Sequence, residues 1–531
     1  MEKRLFLAVF LSLVVVFVFQ SFLSPKKNAS QSTPAQQVTT ANVEKQTSAG
    51  IAEKPVVTEP VPSFEEKSTL VENSEFQIRF SNKGGDIDAI QLKKFNHQLP
   101  AKNIASIDLF QGERFVLDEN GRGNVKYSFK NAEWQINKEY MIKNDYVILD
   151  KIIVKNLSTS SKNLVAKDSN FTINIPRLDK SNVQSDWSLC EYSIKTKKNF
   201  IRKDNIKVLD SKLNRKEFND VEWAAFRDKY FVTIVQPKNP STNFFVNVKS
   251  DKEFEIGADL ANAVIEPGKT VTFEYKIYAG PQDLKLLKEA DPSFEKVMVF
   301  SNWGWLDAVA KFIHWLLGAL HHILNNWGLS IIAISLLVYG VMYPLTVKSL
   351  TSMKKLQALQ PKMKELQDKY KSNPEKLNKE IVELYRINQV NPLSGCLPML
   401  LQMPIFVGLY QVLWRSIYFR GESFLWMKDL SLPDHTVKLP MTLPVLGEYL
   451  NILPVLMVII MAVQQNLNMK SMTVTTKDQA DQQKMMAIFF PIMIGFIFYN
   501  MASGLNLYFV IFYILSTASQ WHITNNMKAP A

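Results

Sequence analysis

Cysteine and histidine are scarce, numbering two and six in 531 residues. Cys190 and Cys396 stand far apart and, on the topology argued below, on opposite sides of a membrane. No disulfide, metal site or redox pair is therefore expected, and both read as small buried residues. Neither a zinc motif nor a glycine-rich RNA motif accompanies the net charge of +12 and pI near 9.2, so no specific nucleic-acid binding is expected. No cofactor is expected either. What the chain does have is unevenness. A mean hydropathy of −0.07 describes neither part, because residues after about 300 are largely apolar and residues 24–295 are not. In a membrane protein a basic excess collects on the cytoplasmic side, where Lys and Arg fix topology.

Lys3 and Arg4 precede an uncharged apolar run over residues 5–23, long enough as a helix to span the roughly 30 Å hydrocarbon layer. A cleaved signal peptide has a shorter apolar core and a small-x-small cleavage site, and Ser21-Phe22-Leu23-Ser24 is a poor one. Residues 1–24 are expected to form an uncleaved anchor with its N-terminus in the cytoplasm. Residues 25–62 carry Ser, Thr, Gln, Ala, Pro, Val and Lys without an apolar period. They cannot bury enough surface to offset chain entropy, which predicts a flexible tether.

From about 70 to 285, within a domain expected at 63–295, the period becomes two. Phe76, Ile78 and Phe80 alternate with polar neighbours, as do Val271, Phe273, Tyr275 and Ile277, and residues 245–248 and 146–149 add β-rich runs. Turns are marked by Lys83-Gly84-Gly85-Asp86, Glu119-Asn120-Gly121 and Glu266-Pro267-Gly268. Many short strands between such turns predict an all-β sandwich. Such domains often bind carbohydrate, but sugar epimerisation needs two placed titratable groups. This stretch offers only His97, read as a surface residue.

Residues 296–326 are expected to form an interfacial amphipathic helix. Leu306, Val309, Phe312, Ile313, Leu316, Leu317, Leu320 and Leu324 recur at helical spacing, while Asp307, Lys311, His314 and His321 interrupt them. Charges within the run and Trp303, Trp305 and Trp315 suit a helix lying in the interface. His314, His321 and His322 read as interfacial polarity rather than metal ligands. Apolar spans follow at 329–346, 397–418, 450–467, 485–499 and 505–523. Residues 347–396 hold nine Lys and one Arg against five acids, net +5; loop 419–450 holds three bases and four acids, net −1; loop 470–484 holds three Lys and two Asp. This alternation places the first and third segments in the cytoplasm, with both termini there.

Within that basic stretch, 349–393 is expected to be a helical hairpin. Leu350, Met353, Leu356, Leu359, Met363, Leu366 and Tyr370 keep three-and-four spacing, Pro361 is expected to kink the helix, and Leu377, Ile381, Leu384 and Tyr385 begin the return. Its exterior lysines, Lys354, Lys355, Lys362, Lys364 and Lys369, read as a docking surface. The fold class is thus a polytopic α-helical membrane protein of six transmembrane helices, five of them in a core, with an extramembrane all-β sandwich.

The motifs Asn326-Trp327-Gly328, Met342-Tyr343-Pro344-Leu345-Thr346, Leu359-Gln360-Pro361-Lys362, Val390-Asn391-Pro392-Leu393, Gly395-Cys396, Pro398, Gln402-Met403-Pro404-Ile405-Phe406 and Ser503-Gly504-Leu505 together resemble the YidC-type membrane protein insertases. Upstream, Trp223, Asp228-Lys229-Tyr230-Phe231 and Tyr278-Ala279-Gly280-Pro281 resemble the periplasmic domain of the Gram-negative members. The resemblance implies a bacterial inner-membrane protein with a periplasmic domain of sugar-epimerase-like shape and a five-helix insertase core at 327–531. It implies a chaperone that inserts membrane proteins through a hydrophilic groove open to cytoplasm and lipid, without bond chemistry, alone or with the Sec translocon. Implied partners are nascent membrane proteins, the lipid bilayer and, at the hairpin, ribosome or signal recognition particle components. Groove candidates on that picture are Ser335, Tyr339, Gln402, Gln411, Asn506 and Tyr508.

One position departs from the family's pattern. Many members carry arginine where this chain has Tyr339, and Arg415 falls too near the outer surface to replace it. A neutral groove is expected in place of a charged one. The seven residues of the C-terminal tail also lack the long basic extension with which some members reach ribosomes. Two rival functions fare worse. Ser503 and His522 lie too far apart on one helix for an intramembrane serine protease, and the paired intramembrane charges of a transporter are missing.

Overall fold

The computed structural model describes residues 64–99, 102–121, 123–163, 170–176, 191–203, 215–238, 242–250, 253–259, 264–301, 303–391, 397–443, 447–471 and 477–526. The expected anchor 1–24 and tether 25–62, Cys190, Cys396, and tail residues 527–531 lie outside the described residues.

Alternating apolar residues build the β domain. Phe76, Ile78 and Phe80 of the strand Phe76–Ser81 are fully buried, as is Ile277 of Thr270–Pro281. All described strand pairs are antiparallel, and a meander runs from Val116–Gly121 through Asn124–Lys130, Trp134–Ile142 and Val147–Asn156 to Thr270–Pro281 and Phe231–Pro237. The long strand Arg215–Arg227 serves two neighbourhoods. Its first part pairs with Thr242–Ser250, and after a register shift between Phe218 and Val221 it pairs with Phe231–Pro237 and Glu191–Thr196. Asp220, at φ 53°, takes up that irregularity in a left-handed conformation that Asp tolerates better than most residues.

His97 is not a surface residue. It is buried, stacked on Phe231 at 4.3 Å between ring centroids and 3.7 Å from the Asp228 carboxylate. Its apolar ring face fills core space that sequence alone could not reveal.

The domain ends in helix α1 (Leu284–Ala290), whose first turn is capped by the Asp283 carboxylate accepting from the Lys285 and Leu286 amides. Helix α2 (Gly304–Leu324) follows. It buries Leu306, Ala310, Ile313 and Leu317 and exposes Trp305, Phe312, Trp315 and Ile323, the two faces of an amphipathic period. His314 lies on the buried face, parallel to Tyr418 at 5.2 Å, and burial pulls its pKa down to about 4. Trp327 continues the stack, 5.0 Å from Tyr418 and 3.9 Å from His321, so two of the three histidines pack against aromatic rings.

Helix α3 (Trp327–Ala358) runs unbroken through Pro344. Its Trp327–Leu356 portion is, among the described residues, the one helix long and apolar enough to cross a bilayer by length and composition, with shorter apolar helices at Ile452–Leu467 and Ala487–Phe498. Helices α4 (Gln360–Lys369) and α5 (Pro374–Ile387) form the hairpin. The kink expected at Pro361 is instead a break at Leu359, with Pro361 in the first turn of α4, where the missing N–H costs nothing. Then come α6 (Leu397–Arg415), α7 (Ile452–Ser471), α8 (Lys477–Phe498) and α9 (Ser503–Asn526). At 24 residues α9 has spanning length, but Asn506 and Gln520 dilute its apolar content.

Helices α6, α7 and α9 are tied together at one end by the loop between α6 and α7. The Ser503 and Gly504 amides donate to the Leu432 and Leu430 carbonyls at 2.7 and 2.9 Å. The Asp434 carboxylate caps α7, accepting from the Ile452 and Leu453 amides at 2.7 and 2.9 Å. Gly328 admits the ring of Phe424 to the first turn of α3, since a Cβ there would lie 2.0 Å from that ring.

Candidate functional site

Three of the six groove candidates come together. The Gln402 side-chain amide on α6 donates to the Tyr508 hydroxyl on α9 at 2.8 Å, and Tyr508 is fully buried. Its ring lies 6.2 Å from Phe512, which meets Tyr339 of α3 edge-on at 5.7 Å. Tyr339, Gln402 and Tyr508 thus form a polar–aromatic seam joining three helices. The Tyr339 hydroxyl is buried at the α3–α9 contact, with the Ser519 side chain of α9 beside it.

The other three serve the helices themselves or stand apart. Ser335 donates to the Ile331 carbonyl of its own helix at 2.7 Å, which satisfies its proton locally. Asn506 donates to the Phe498 and Met501 carbonyls at 3.2 and 3.4 Å, closing the turn between α8 and α9. Gln411 keeps a buried side-chain oxygen with no partner among the described residues.

A second polar seam lies beyond the six groove candidates. Gln464 of α7 donates to the Ser516 hydroxyl of α9 at 2.8 Å, with Gln520 buried one turn further along α9 and Thr517 carrying a buried hydroxyl. The i, i+4 spacing of Ser516 and Gln520 in an apolar run was the available signal. Both seams are neutral. Arg415 does not enter them, because its guanidinium turns to the Val299 carbonyl at 3.3 Å and to Glu191 at 3.6 Å.

Among the hairpin lysines, Lys355, Lys362, Lys364 and Lys369 are exposed. Lys354 differs: it is half-buried and donates to the Ile523 carbonyl at 3.0 Å, fastening the end of α3 to the last turns of α9. Neither α4 nor α5 has a buried residue, and Val382 and Ile387 are exposed apolar side chains. No group of three or more His, Cys, Asp or Glu among the described residues is placed to hold a metal.

A cavity of about 820 Å³ lies on the β domain rather than among the helices. Across its floor Lys126, Glu139, Lys151 and Glu274 stand opposite one another on successive strands. Lys151 is 3.9 Å from Glu139, and Lys238 is 2.5 Å from Glu274. Tyr140, Asp150 and Tyr275 form the next row, and their side chains project to the opposite face of the sheet. Among the described residues, Glu139, Glu222 and Glu274 at this cavity each have a lysine partner, while Asp150 is buried beneath its floor.

Two family models match the chain: one described as 60Kd inner membrane protein over residues 319–530, the other as YidC periplasmic domain over residues 108–316. A membrane protein insertase YidC from Geotalea daltonii is 30% identical over 559 aligned positions, covering 100% of both chains. The Chlorobium luteolum protein of the same name is 37% identical over 317 residues, 58% of this chain and 53% of the relative, so that alignment spans about half the relative's length. A crystal structure of an active YidC insertase is 18% identical, covers 87% of this chain and 93% of that one, and has a TM-score of 0.38. The full-length match at this identity carries the assignment: the chain belongs to the YidC family of membrane protein insertases.

Proposed function

We propose that the chain inserts integral membrane proteins into the bacterial inner membrane and helps them fold, without bond chemistry. The observation that carries this reading is the pair of neutral polar seams, Tyr339–Gln402–Tyr508 and Gln464–Ser516, inside a largely apolar helical bundle. A polar segment entering hydrocarbon loses its hydrogen bonds to water, and a groove lined with hydroxyls and amides lowers that cost. The apolar span of the substrate then gains by leaving the groove for lipid. Ser335, Gln411 and Asn506 belong to the same lining on this reading, although Ser335 and Asn506 also bond to backbone.

The reading includes the anchor 1–24, the tether 25–62, the periplasmic domain 63–295, the interfacial helix 296–326 and the core 327–531. It takes six spans, with both termini and the hairpin 349–393 in the cytoplasm. The polar residues needed inside a groove lower the hydropathy of its helices, which is consistent with α9 having spanning length but modest apolar content. The exposed lysines of the hairpin offer a cationic face to nascent chains and to ribosome or signal recognition particle components, and the bundle can work alone or beside the Sec translocon.

The test presents a small single-span protein to liposomes holding only this chain. Protease protection of the translocated end above that of empty liposomes is expected, and equality with empty liposomes would refute autonomous insertion. In the same assay Tyr339→Arg should preserve insertion and speed substrates with acidic tails. Loss of all insertion in that variant would count against a groove at Tyr339.

A further inference from the structure

Asp228-Lys229-Tyr230-Phe231, one of the β-domain motifs, takes no part in either polar seam. It forms the turn between the strands Arg215–Arg227 and Phe231–Pro237. That turn is held firmly. The Asp228 carboxylate accepts from the Tyr230 and Phe231 amides at 2.8 and 2.6 Å, and the Gln282 side chain donates to the Asp228 and Phe231 carbonyls at 2.9 and 3.2 Å.

The C-terminal end of α6 rests on this turn. The Lys229 ammonium lies 5.5 Å from the Trp414 ring, and the Arg420 guanidinium lies 5.3 and 5.2 Å from the Tyr230 and Phe231 rings, within cation–π range. Arg415, the last residue of α6, donates to the Val299 carbonyl and faces Glu191 at 3.6 Å. Glu191 is wholly buried and also binds Arg202 and Arg227, and Arg227 donates to the Val297 carbonyl at 2.7 Å. One helix end is thus tied to the β domain by contacts of charge and ring.

Helix α6 is continuous from Gln402 to Arg415, and its one interior proline, Pro404, leaves the stretch from there to Arg415 regular. Gln402 lies 13 residues from Arg415, roughly 20 Å along the axis at 1.5 Å per residue. Fixing the Arg415 end therefore fixes the height and rotation at which Gln402 meets Tyr508. We propose that the turn 227–231 and Glu191 act as a clamp on α6, making Arg415 and Arg420 positioning residues for the Gln402–Tyr508 contact. The insertion arm of the test rests on the function proposed above; the structural arm does not.

The test uses the full chain in lipid nanodiscs, with Cys190→Ser and Cys396→Ser as background. Phe406 of α6 and Phe509 of α9 have ring centroids 5.3 Å apart, so Phe406→Cys with Phe509→Cys reports their separation through a short bis-thiol cross-linker and leaves Gln402 and Tyr508 intact. Adding Arg415→Met, or separately Arg420→Gln, should slow cross-linking roughly 2- to 30-fold, the span expected of a substitution along a packed coupling network. Urea unfolding of the β domain should keep its midpoint in Arg420→Gln, and insertion by each arginine variant with Phe406 and Phe509 intact should fall in step with cross-linking. Cross-linking within twofold of the parent in both variants would overturn the clamp, as would lost insertion with unchanged cross-linking. If the parent fails to insert at all, the proposed function fails, and the cross-linking rates still decide the clamp.

Discussion

The two halves of the chain bury polarity in different currencies. The β domain buries charge: Lys138 pairs with Asp86 and also donates to the Ala105 carbonyl at 3.0 Å, Asp150 lies beside them, and Glu191 gathers three arginines. The polar seams of the helical core are built from amides and hydroxyls. The difference follows from what surrounds each fold. A water-soluble domain can hold a buried ion pair if its partners are well placed. In a bundle facing hydrocarbon, an unmatched charge has no nearby water to relax into, and neutral hydrogen bonds are the safer way to carry polarity.

The largest test of this contrast is pH. Both oxygens of the Asp150 carboxyl are buried without a hydrogen-bond partner among the described residues, and burial pushes its pKa up to about 8, against Lys138, which lowers it, and with Asp86, which raises it further. A carboxyl that holds its proton in the folded state to about pH 8, and loses it near pH 4 when unfolded, favours folding most below pH 4. That stability declines as pH rises from 4 to 8. The full effect is on the order of 5 kcal/mol by linkage. Urea midpoints of the β domain should fall across that window, and Asp150→Asn should flatten the profile. A profile equally steep in the variant would remove Asp150 as the cause. Helix-core unfolding should show no such slope.

Next in size is Glu191→Gln. Burial alone would raise the Glu191 carboxyl, but Arg227, Arg202 and Arg415 together hold it below the usual carboxylate range. Removing the charge leaves three guanidinium groups crowded around a neutral amide, and breaking a buried pair in this way costs about 3–5 kcal/mol. Chemical denaturation of the full chain, read on β-domain amides by hydrogen exchange, measures it. A loss under about 1 kcal/mol would place this cluster with ordinary surface pairs.

The contrast itself could be read only in part from sequence. Alternation at Phe76, Ile78 and Phe80 and helical spacing through α2 are local patterns, and the structure places strands and a helix there. Gln402 and Tyr508 could be named as polar residues in apolar runs, but their pairing joins positions 106 apart. Gln464 and Ser516 carry no local sign of their pairing, since a lone Gln or Ser in a span usually bonds within its bundle. The burial of His97 escapes local pattern for a related reason: it depends on Phe231 arriving from a distant strand. Helical rise alone puts Arg415 near an outer surface, and only the fold shows that its partners there, Val299 and Glu191, come from the other half of the chain. Periodicity reports which face is covered and not which residue covers it.

The smallest expected effect is the most discriminating. Gln402→Leu and Gln464→Leu each remove one neutral interhelical hydrogen bond, worth about 0.6 kcal/mol in membrane bundles. Stability in mixed micelles should therefore change little, whereas insertion should fall well beyond what that loss explains if, as proposed, the side chain removed lines the substrate groove. A stability loss above about 2 kcal/mol would mean that the seams hold the bundle together, as Glu191 holds the β domain. Unchanged insertion with unchanged stability would mean that neither Gln402 nor Gln464 receives substrate, and the groove would rest on the remaining candidates, Tyr339 among them.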